Sequence, residues 1–211
     1  FELKNTYKVI HETYVTDYEN QQKEAFAKAF ALIDEIDALL KIKPIDIANI
    51  NNLVMNFIKY KDELVKSKIL YCCDRFDMKS KKTLAGEQKY YVADLSFYYA
   101  LNTDNRINYG PVLENIVFLY ARSLDYAVSV GRIGKLECDF ILRDREMDYS
   151  YVQVAYKMLQ SKETEDREYR PLEGIRDNYR KYVMTTDYML QKRNGIMHVN
   201  LIDFIGEKRK F

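Results

Sequence analysis

The chain has 211 residues, 47% of them hydrophobic, and is long enough to bury a core of its own. Its 33 basic and 32 acidic residues give a net charge of +1, so the chain lacks the overall positive charge typical of nucleic-acid-binding proteins. A local basic patch is compatible with this charge. No apolar run approaches the roughly 20 residues that cross a bilayer, and no signal peptide is visible, so we expect no membrane association.

The three cysteines, Cys72, Cys73 and Cys138, form no C-x-x-C motif and have no neighbouring histidine. This pattern predicts reduced, mostly buried thiols rather than a zinc site, and it favours a cytoplasmic location. The chain begins with Phe1 instead of Met, from which we expect a piece of a longer protein.

The first part of the chain has the apolar spacing of helices. Apolar residues from Phe26 to Leu40 predict one helix, which Pro44 ends. Asp46 suits the N-cap of a second helix that extends to Ile58. A third helical stretch follows through residues 64 and 65. The residues before Pro44 are therefore predicted to be largely helical.

From Ile69 onwards the spacing of apolar residues changes to the alternation typical of β-strands, which predicts a β-hairpin. Ile69–Phe76 and Lys89–Ala93 predict strands, and the polar segment MKSKKTLAGEQ lies between them. Helices followed by such a hairpin predict a winged helix over residues 46–93. The tip carries the candidate nucleic-acid-binding residues Lys79, Lys81 and Lys82. These lysines either belong to an ordinary solvated loop or lie on a phosphate backbone, which needs only point charges.

Residues 94–211 predict an α/β domain with the order α-β-β-β-α-β. Asp94 suits the N-cap of a helix through Leu101, and Pro111 suits the first turn of a helix that reaches about Asp125. The later predicted elements are strands at Tyr126–Gly131, Leu136–Leu142 and Ser150–Tyr156, a helix at 162–174, strands at Lys181–Thr185 and Ile196–Asn200, and a short helix at Leu201–Ile205.

Three polar residues of this domain predict a metal site. Glu114 lies on the helix, Asp139 in the strand LECDFIL and Gln153 in the strand YVQVAY. Because side chains alternate across a strand, Glu137 and Asp139 are predicted to share one face, and Leu136, Cys138 and Phe140 the other. Carboxylate oxygens suit Mg²⁺ or Mn²⁺, so Glu114 and Asp139 are the candidate metal ligands.

This arrangement resembles the site of the restriction-endonuclease-like fold, in which an Asp in one strand is followed by an E-x-K tripeptide in the next. Here the tripeptide is Gln153-Val154-Ala155, which lacks both the carboxylate and the lysine. Lys157 lies two residues further on and is the candidate replacement. The candidate catalytic residues are therefore Glu114, Asp139, Gln153 and Lys157. Their alternatives are a solvated hairpin rim for the carboxylates and an ordinary strand amide for Gln153.

A longer resemblance covers most of residues 88–205. The strings QKYYVADLSFYYAL, VLENIVFLYARSLDYAVSVGRIGKLECDFIL, YVQVAYKM, REYRPLEGIRDNYRKYVMTTD and GIMHVNLIDFI occur in this order. With these strings the chain resembles the C-terminal region of bacterial and archaeal predicted AAA-type ATPases. That region pairs a winged helix with a domain of unknown function that has an endonuclease-like fold.

The resemblance implies an ATPase domain upstream, which would carry the ATP site, and it implies that residues 1–45 are a helical linker or a remnant of the ATPase's lid. The chain itself lacks the phosphate-binding motif, since VGRIGK is followed by Leu136 and not by Ser or Thr. We therefore expect an accessory module of an ATPase that associates with DNA through a degenerate nuclease-like site. The alternatives are a protein-interaction or homo-oligomer assembly module without nucleic acid, and an active metal-dependent nuclease.

Overall fold

The computed structural model describes residues 58–101 and 108–211. The chain divides into two compact units, Phe1–Tyr71 and Cys72–Phe211. Of the first unit, residues 58–66 are helical, as predicted around residues 64 and 65. The helices predicted between residues 20 and 57 lie outside the described residues.

The described helices and strands of residues 94–211 follow the expected order, with bounds that differ by at most two residues, and the short strand Lys192–Arg193 is an addition to it. The helices are α1 (Leu95–Leu101), α2 (Tyr109–Ser123), α3 (Lys162–Glu173) and α4 (Leu201–Gly206). The strands are β1 (Leu70–Asp77), β2 (Lys82–Val92), β3 (Ala127–Ile133), β4 (Leu136–Arg143), β5 (Tyr149–Val154), β6 (Arg180–Thr185), β7 (Lys192–Arg193) and β8 (Ile196–Asn200). None of the helices in this part of the chain is long and apolar enough to cross a membrane.

The strands form one mixed eight-stranded sheet with the order β2-β1-β3-β4-β5-β6-β8-β7. β3, β4 and β5 are antiparallel neighbours, whereas β1 pairs with β3, β5 with β6 and β6 with β8 in parallel. The chain is thus a mixed α/β protein, and α2-β3-β4-β5-α3-β6 has the predicted order α-β-β-β-α-β.

Helices cover both faces of the sheet. Val183 belongs to a buried cluster that includes Tyr169 and Leu172 of α3. Its neighbour Tyr182 packs instead against Phe204 of α4, with ring centroids 5.7 Å apart. Because successive side chains of a strand point to opposite faces, α3 and α4 lie on opposite sides of β6.

The predicted alternation along β4 is wrong at one point. Ser129 is opposite Ile141 and Gly131 is opposite Cys138, so two residues of β4 lie opposite one residue of β3. This β-bulge brings Cys138 into the cluster with α3, whereas Phe140 packs against Phe118 of α2 and Tyr91. A bulge changes the direction of the side chains that follow it, and sequence periodicity does not reveal it.

The lysine-bearing hairpin belongs to the same sheet as the rest of the domain. β2 begins at Lys82, seven residues before the predicted start. The first residues of this strand have low strand propensity, but pairing with β1 provides hydrogen-bond partners for their backbone. The hairpin and residues 94–211 thus lie in one compact unit. The winged helix over residues 46–93 stays a prediction, since most of its helical part lies outside the described residues.

All three cysteines are free thiols, as predicted. Cys73 and Cys138 are buried and Cys72 is half-buried. Burial raises the pKa of the Cys73 thiol to about 12, so this thiol stays protonated at neutral pH.

Asn115 joins α2 to β2. Its buried amide accepts a hydrogen bond from the Val92 N–H at 2.8 Å and donates one to the Val92 carbonyl at 2.9 Å. The amide side chain therefore replaces a neighbouring strand for this residue of β2. It also fixes Glu114, the preceding residue of α2, relative to Lys89, which lies three residues before Val92 in β2.

We expect Asn115→Ala to destabilise the protein by about 2–4 kcal/mol, because it removes both partners of a sheltered backbone donor and acceptor. Chemical denaturation monitored by circular dichroism measures the change. Asn178→Ala, at an exposed position between α3 and β6, is the control. Equal stability of the two variants would contradict the role assigned to Asn115.

Candidate functional site

Asp139 lies at the centre of the sheet with only 6% of its surface exposed. Its Oδ2 accepts a hydrogen bond from the Val154 N–H of β5 at 2.8 Å. Its own backbone N–H donates to Oε1 of Gln153 at 3.3 Å. The carboxylate therefore joins β4 to β5, and its second oxygen, Oδ1, remains free of these two bonds.

Glu114 lies on α2, in its second turn. The helix begins after Asn108, whose side chain accepts a hydrogen bond from the Gly110 N–H, and Pro111 occupies its first turn, as the sequence predicted. Glu114 borders the buried side of the helix formed by Val112, Leu113, Asn115 and Val117. It is half-buried, which allows a carboxylate to face both the protein and the solvent.

The positive charge beside these carboxylates comes from Lys89 of β2. Its Nζ lies 3.3 Å from Oε2 of Glu114 and 4.0 Å from Oδ1 of Asp139. Both carboxylates predicted as metal ligands therefore face one ammonium group. Sequence reasoning gave no functional role to Lys89. The spacing of residues along the strand could have identified Lys89. It lies two residues before the buried Tyr91, and residues two apart in a strand point to the same face, here the inward one.

A third carboxylate, Glu137, holds Lys89 in place. Oε1 of Glu137 lies 2.7 Å from the Lys89 Nζ, and its Oε2 accepts a hydrogen bond from Arg75 of β1 at 2.6 Å. Glu137 and Asp139 both contact Lys89, as expected for two side chains predicted to share a face.

The carboxyl groups of this site have opposite pKa shifts. Burial first, and then the charge of Glu114, raise the pKa of Asp139 from 3.8 to about 8. For Glu137, burial acts to raise the pKa, but the hydrogen bond and charge of Lys89 and the charge of Arg75 outweigh it and lower the pKa. The site therefore holds one carboxyl group that binds a proton near neutral pH and one that stays ionised.

Lys89 itself stays positively charged. Burial acts to lower its pKa, but the hydrogen bond to Glu137 and the charges of Glu114 and Asp139 outweigh this effect and raise it. An ammonium group held in this way stabilises negative charge and does not serve as a base near neutral pH.

Gln153 connects Asp139 to a fourth carboxylate. Its Oε1 accepts from the Asp139 N–H, and its Nε2 donates to Oε2 of Glu168 at 3.2 Å. Glu168 lies on α3, is 6% exposed and accepts a hydrogen bond from Arg167 at 2.9 Å. Sequence reasoning missed Glu168, although its position four residues before the apolar Leu172 predicts that it faces the sheet.

Ala155 and Lys157 follow the end of β5 and have no contact with this charged group among those described. Ala155 is 8% exposed, and its N–H donates to the Met184 carbonyl at 3.0 Å. Lys157 is exposed, and its Nζ lies 5.5 Å above the ring centroid of Tyr156. Lys89, rather than Lys157, is thus the lysine found beside Asp139.

Lys79, Lys81 and Lys82 are all exposed at the tip of the β1–β2 hairpin. Asp77 closes the turn, with its carboxylate accepting hydrogen bonds from the backbone N–H groups of Lys79 and Ser80 at 3.4 and 3.2 Å. Lys81 adopts a left-handed backbone conformation with φ of 54°. The tip is thus a tight turn that presents three ammonium groups to solvent.

The donor set beside Lys89 fits Mg²⁺ or Mn²⁺. Glu114 and Asp139 provide hard carboxylate oxygens, and Mg²⁺ commonly uses one or two carboxylates together with water and substrate oxygens. Within residues 58–101 and 108–211, no three Asp, Glu, His or Cys side chains are grouped so that they would hold an ion by themselves. A divalent ion would therefore rely on Glu114 and Asp139 and would compete with the Lys89 ammonium.

Comparison with known proteins finds an uncharacterized protein of Haemophilus influenzae that is 31% identical over 148 residues. The match covers 70% of this chain and 36% of that protein, so the chain spans roughly a third of the length of this relative. No family model matches the chain. No solved structure matches it.

We expect Asp139→Asn to change the pH dependence of stability. The folded state binds a proton at Asp139 between pH 3.8 and about 8 that the unfolded state does not bind. The stability contributed by Asp139 is therefore greatest below pH 3.8 and is lost as the pH rises to about 8. The amide introduced by Asp139→Asn still offers an acceptor to the Val154 N–H and does not titrate.

Thermal unfolding from pH 5 to pH 8 measures this effect. The stability of the variant relative to the natural protein should increase with pH by at least about 1 kcal/mol over this range. Asp148→Asn, at an exposed position before β5, should show no such trend. A constant difference for Asp139→Asn would contradict the raised pKa.

Proposed function

We propose that this protein is a nucleic-acid-associated module with a nuclease-like site formed by Glu114, Asp139 and Lys89. The observation that carries this proposal is the convergence of two carboxylates from α2 and β4 on one ammonium nitrogen, within 3.3 and 4.0 Å. Carboxylates that bind a divalent ion, beside a fixed cation, are the groups that phosphodiester chemistry requires.

The order of elements supports an endonuclease-like core for this module. α2-β3-β4-β5-α3-β6 has the α-β-β-β-α-β order of that fold, with β5 and β6 in parallel. Asp139 lies in the second strand of this core, and Gln153 lies in the third, where the resemblance expects them. The analogy is one of fold and position, and the chemistry is argued from the site itself.

The exposed hairpin tip supports contact with a phosphate backbone. Lys79, Lys81 and Lys82 are exposed to solvent, and backbone contacts need only such point charges. The hairpin continues directly into Lys89 through β2.

The family resemblance supports a role as the accessory module of an AAA-type ATPase. In this arrangement ATP binds to the upstream domain and not to residues of this chain. Mg²⁺ or Mn²⁺ would be held by Glu114 and Asp139. When bound, the ion would stabilise negative charge on the phosphate oxygens and lower the pKa of bound water.

One surface feature favours an assembly module as the second candidate. The loop between β6 and β7 exposes Tyr188, Met189 and Leu190, with exposed fractions of 95%, 78% and 52%. Adjacent exposed apolar side chains of this kind often mark protein-protein contacts. A module that only assembles with itself or another protein would bind no DNA even at low salt, so DNA titration separates the two candidates.

We expect DNA binding with a log–log salt slope of roughly −3 to −5, as a few phosphate contacts produce. Replacing Lys79, Lys81 and Lys82 by Gln should make the slope less negative by about 0.9 for each of these lysines that neutralises a phosphate. Fluorescence anisotropy between 50 and 200 mM salt is the measurement. The control is Gln at Lys162, Lys192 and Lys208, which are exposed in α3, in β7 and after α4. Absence of binding at low salt would disprove the proposal.

We expect Mg²⁺ or Mn²⁺ to raise the melting temperature of the natural protein. A concentration ten times the Kd stabilises a folded protein by about 1.4 kcal/mol. Asp139→Asn removes one ligand and should abolish most of this shift, whereas Asp148→Asn should retain it. Thermal unfolding with and without the ion is the measurement, and an equal shift in both variants would place the ion elsewhere.

A further inference from the structure

We propose that the stacked side chains of Tyr109 and Tyr156 bind an unpaired base, so that the nucleic acid recognised by this protein is single-stranded. This inference rests on the proposed function and deepens it, because it names the kind of nucleic acid. It depends on an exposed aromatic surface and not on the carboxylates or on Lys89. The bases of a duplex are paired and stacked inside the double helix, where a protein surface does not reach their faces.

The two tyrosines form an exposed aromatic stack. Their ring centroids lie 4.6 Å apart, with an angle of 19° between the ring planes. The exposed fractions of Tyr109 and Tyr156 are 43% and 40%, although each ring already covers part of the other. Aromatic rings prefer such stacked arrangements, and a planar base extends the stack by one more ring.

The surrounding backbone holds this aromatic stack in a fixed position. The carbonyl of Tyr156 accepts hydrogen bonds from the N–H and the hydroxyl group of Thr186, at 3.1 and 2.6 Å. Two residues later, Met158 is fully buried and anchors the segment in the core. Tyr109 is the first residue of α2, which Asn108 caps. A surface held in this way loses little conformational entropy when a ligand binds.

Both tyrosines are close to residues of the candidate site. Glu114 follows Tyr109 by five residues in α2, or about 7.5 Å along the helix axis at 1.5 Å per residue. Tyr156 follows Val154 by two residues, and the N–H of Val154 is bonded to Asp139. The aromatic stack and the two carboxylates are therefore neighbours in the structure.

Lys157 adds a positive charge to the aromatic stack. Its side chain is exposed, and its Nζ lies 5.5 Å from the ring centroid of Tyr156. Proteins that bind single strands combine aromatic side chains for the bases with positive charges for the backbone. Aromatic rings beside an ammonium group match a nucleotide, which has a planar base and an anionic phosphate. An apolar protein partner would leave this ammonium group without a counter-charge.

Stacking on the two rings predicts how the protein selects its ligand. Every base has a π-face, so stacking distinguishes unpaired from paired bases but hardly one base from another. We therefore expect the protein to bind single strands of different sequence with similar affinity. Replacing a stacking side chain by Ala weakens binding by about 5- to 150-fold per base.

The test measures the affinity for labelled oligothymidylate and for a duplex of equal length by fluorescence anisotropy, in EDTA so that no metal ion supports cleavage. We expect Tyr109→Ala and Tyr156→Ala to weaken single-strand binding by about 5- to 150-fold. Duplex binding should change by less than about 2-fold, because its phosphate contacts remain. Tyr156→Phe keeps the ring and should bind like the natural protein. Tyr188→Ala, at a position that is 95% exposed in the loop between β6 and β7, is the control.

An oligonucleotide of equal length that carries abasic sites in place of its bases separates stacking from any other effect of the substitution. The natural protein should bind this abasic strand more weakly than the intact one, by about the factor lost in Tyr156→Ala. Tyr156→Ala itself should bind the two strands almost equally, because the ring and the base contribute through the same contact.

Equal affinity of the natural protein for the intact and the abasic strand would overturn this inference, as would tighter binding of the duplex. Either result leaves the proposed function intact. Absence of binding to every DNA at low salt would overturn both. An oligomer of the natural protein that Tyr156→Ala dissociates, with unchanged affinity for the single strand, would make the aromatic stack a contact between copies of the chain and would also overturn the inference.

Discussion

The burial of one carboxylate, that of Asp139, is the constraint on which the centre of this protein depends. Ionising a carboxyl group in the middle of a sheet is costly, which is why the pKa of Asp139 is raised, and two contacts reduce this cost only in part. Oδ2 is bonded to the Val154 N–H of β5, and Oδ1 faces the Lys89 ammonium of β2. The bulge in β4 makes this possible by changing the direction of the side chains between Cys138 and Ile141. A purely structural sheet would gain stability from an apolar residue at this position.

Sequence patterns predicted the elements of residues 94–211 well, because apolar periodicity and capping residues determine them locally. Pro111 and the alternation in Ile196–Asn200 are examples. The same reasoning placed Glu114 and Asp139 near each other but not Lys89. Lys89 is 25 residues before Glu114 and reaches it only because β1 pairs in parallel with β3, which no local pattern specifies. Parallel pairing and bulges arise from tertiary packing, so they are the features that sequence analysis missed.

Lys89 also shows how a positive charge can reach two carboxylates of the core from a strand that is distant from both in the sequence. What matters for electrostatic stabilisation is where a charge lies relative to the substrate, and the element that carries it is secondary. Asn115 is important in this respect, because its two hydrogen bonds to Val92 set the spacing between α2 and the strand of Lys89. A side chain with no chemical role thereby determines the geometry of the charged groups.

β2 is the outermost described strand at one end of the sheet, and this position has a consequence for how the site loses its charge. Edge elements open by local fluctuation at a lower free energy than global unfolding. When β2 frays, Lys89 leaves while Asp139 stays in the core, where loss of the ammonium charge raises the pKa of its carboxyl group further. The ion pairs of Lys89 would thus break when β2 alone unfolds, while the other described strands are still folded. Amide hydrogen exchange detects such a local opening.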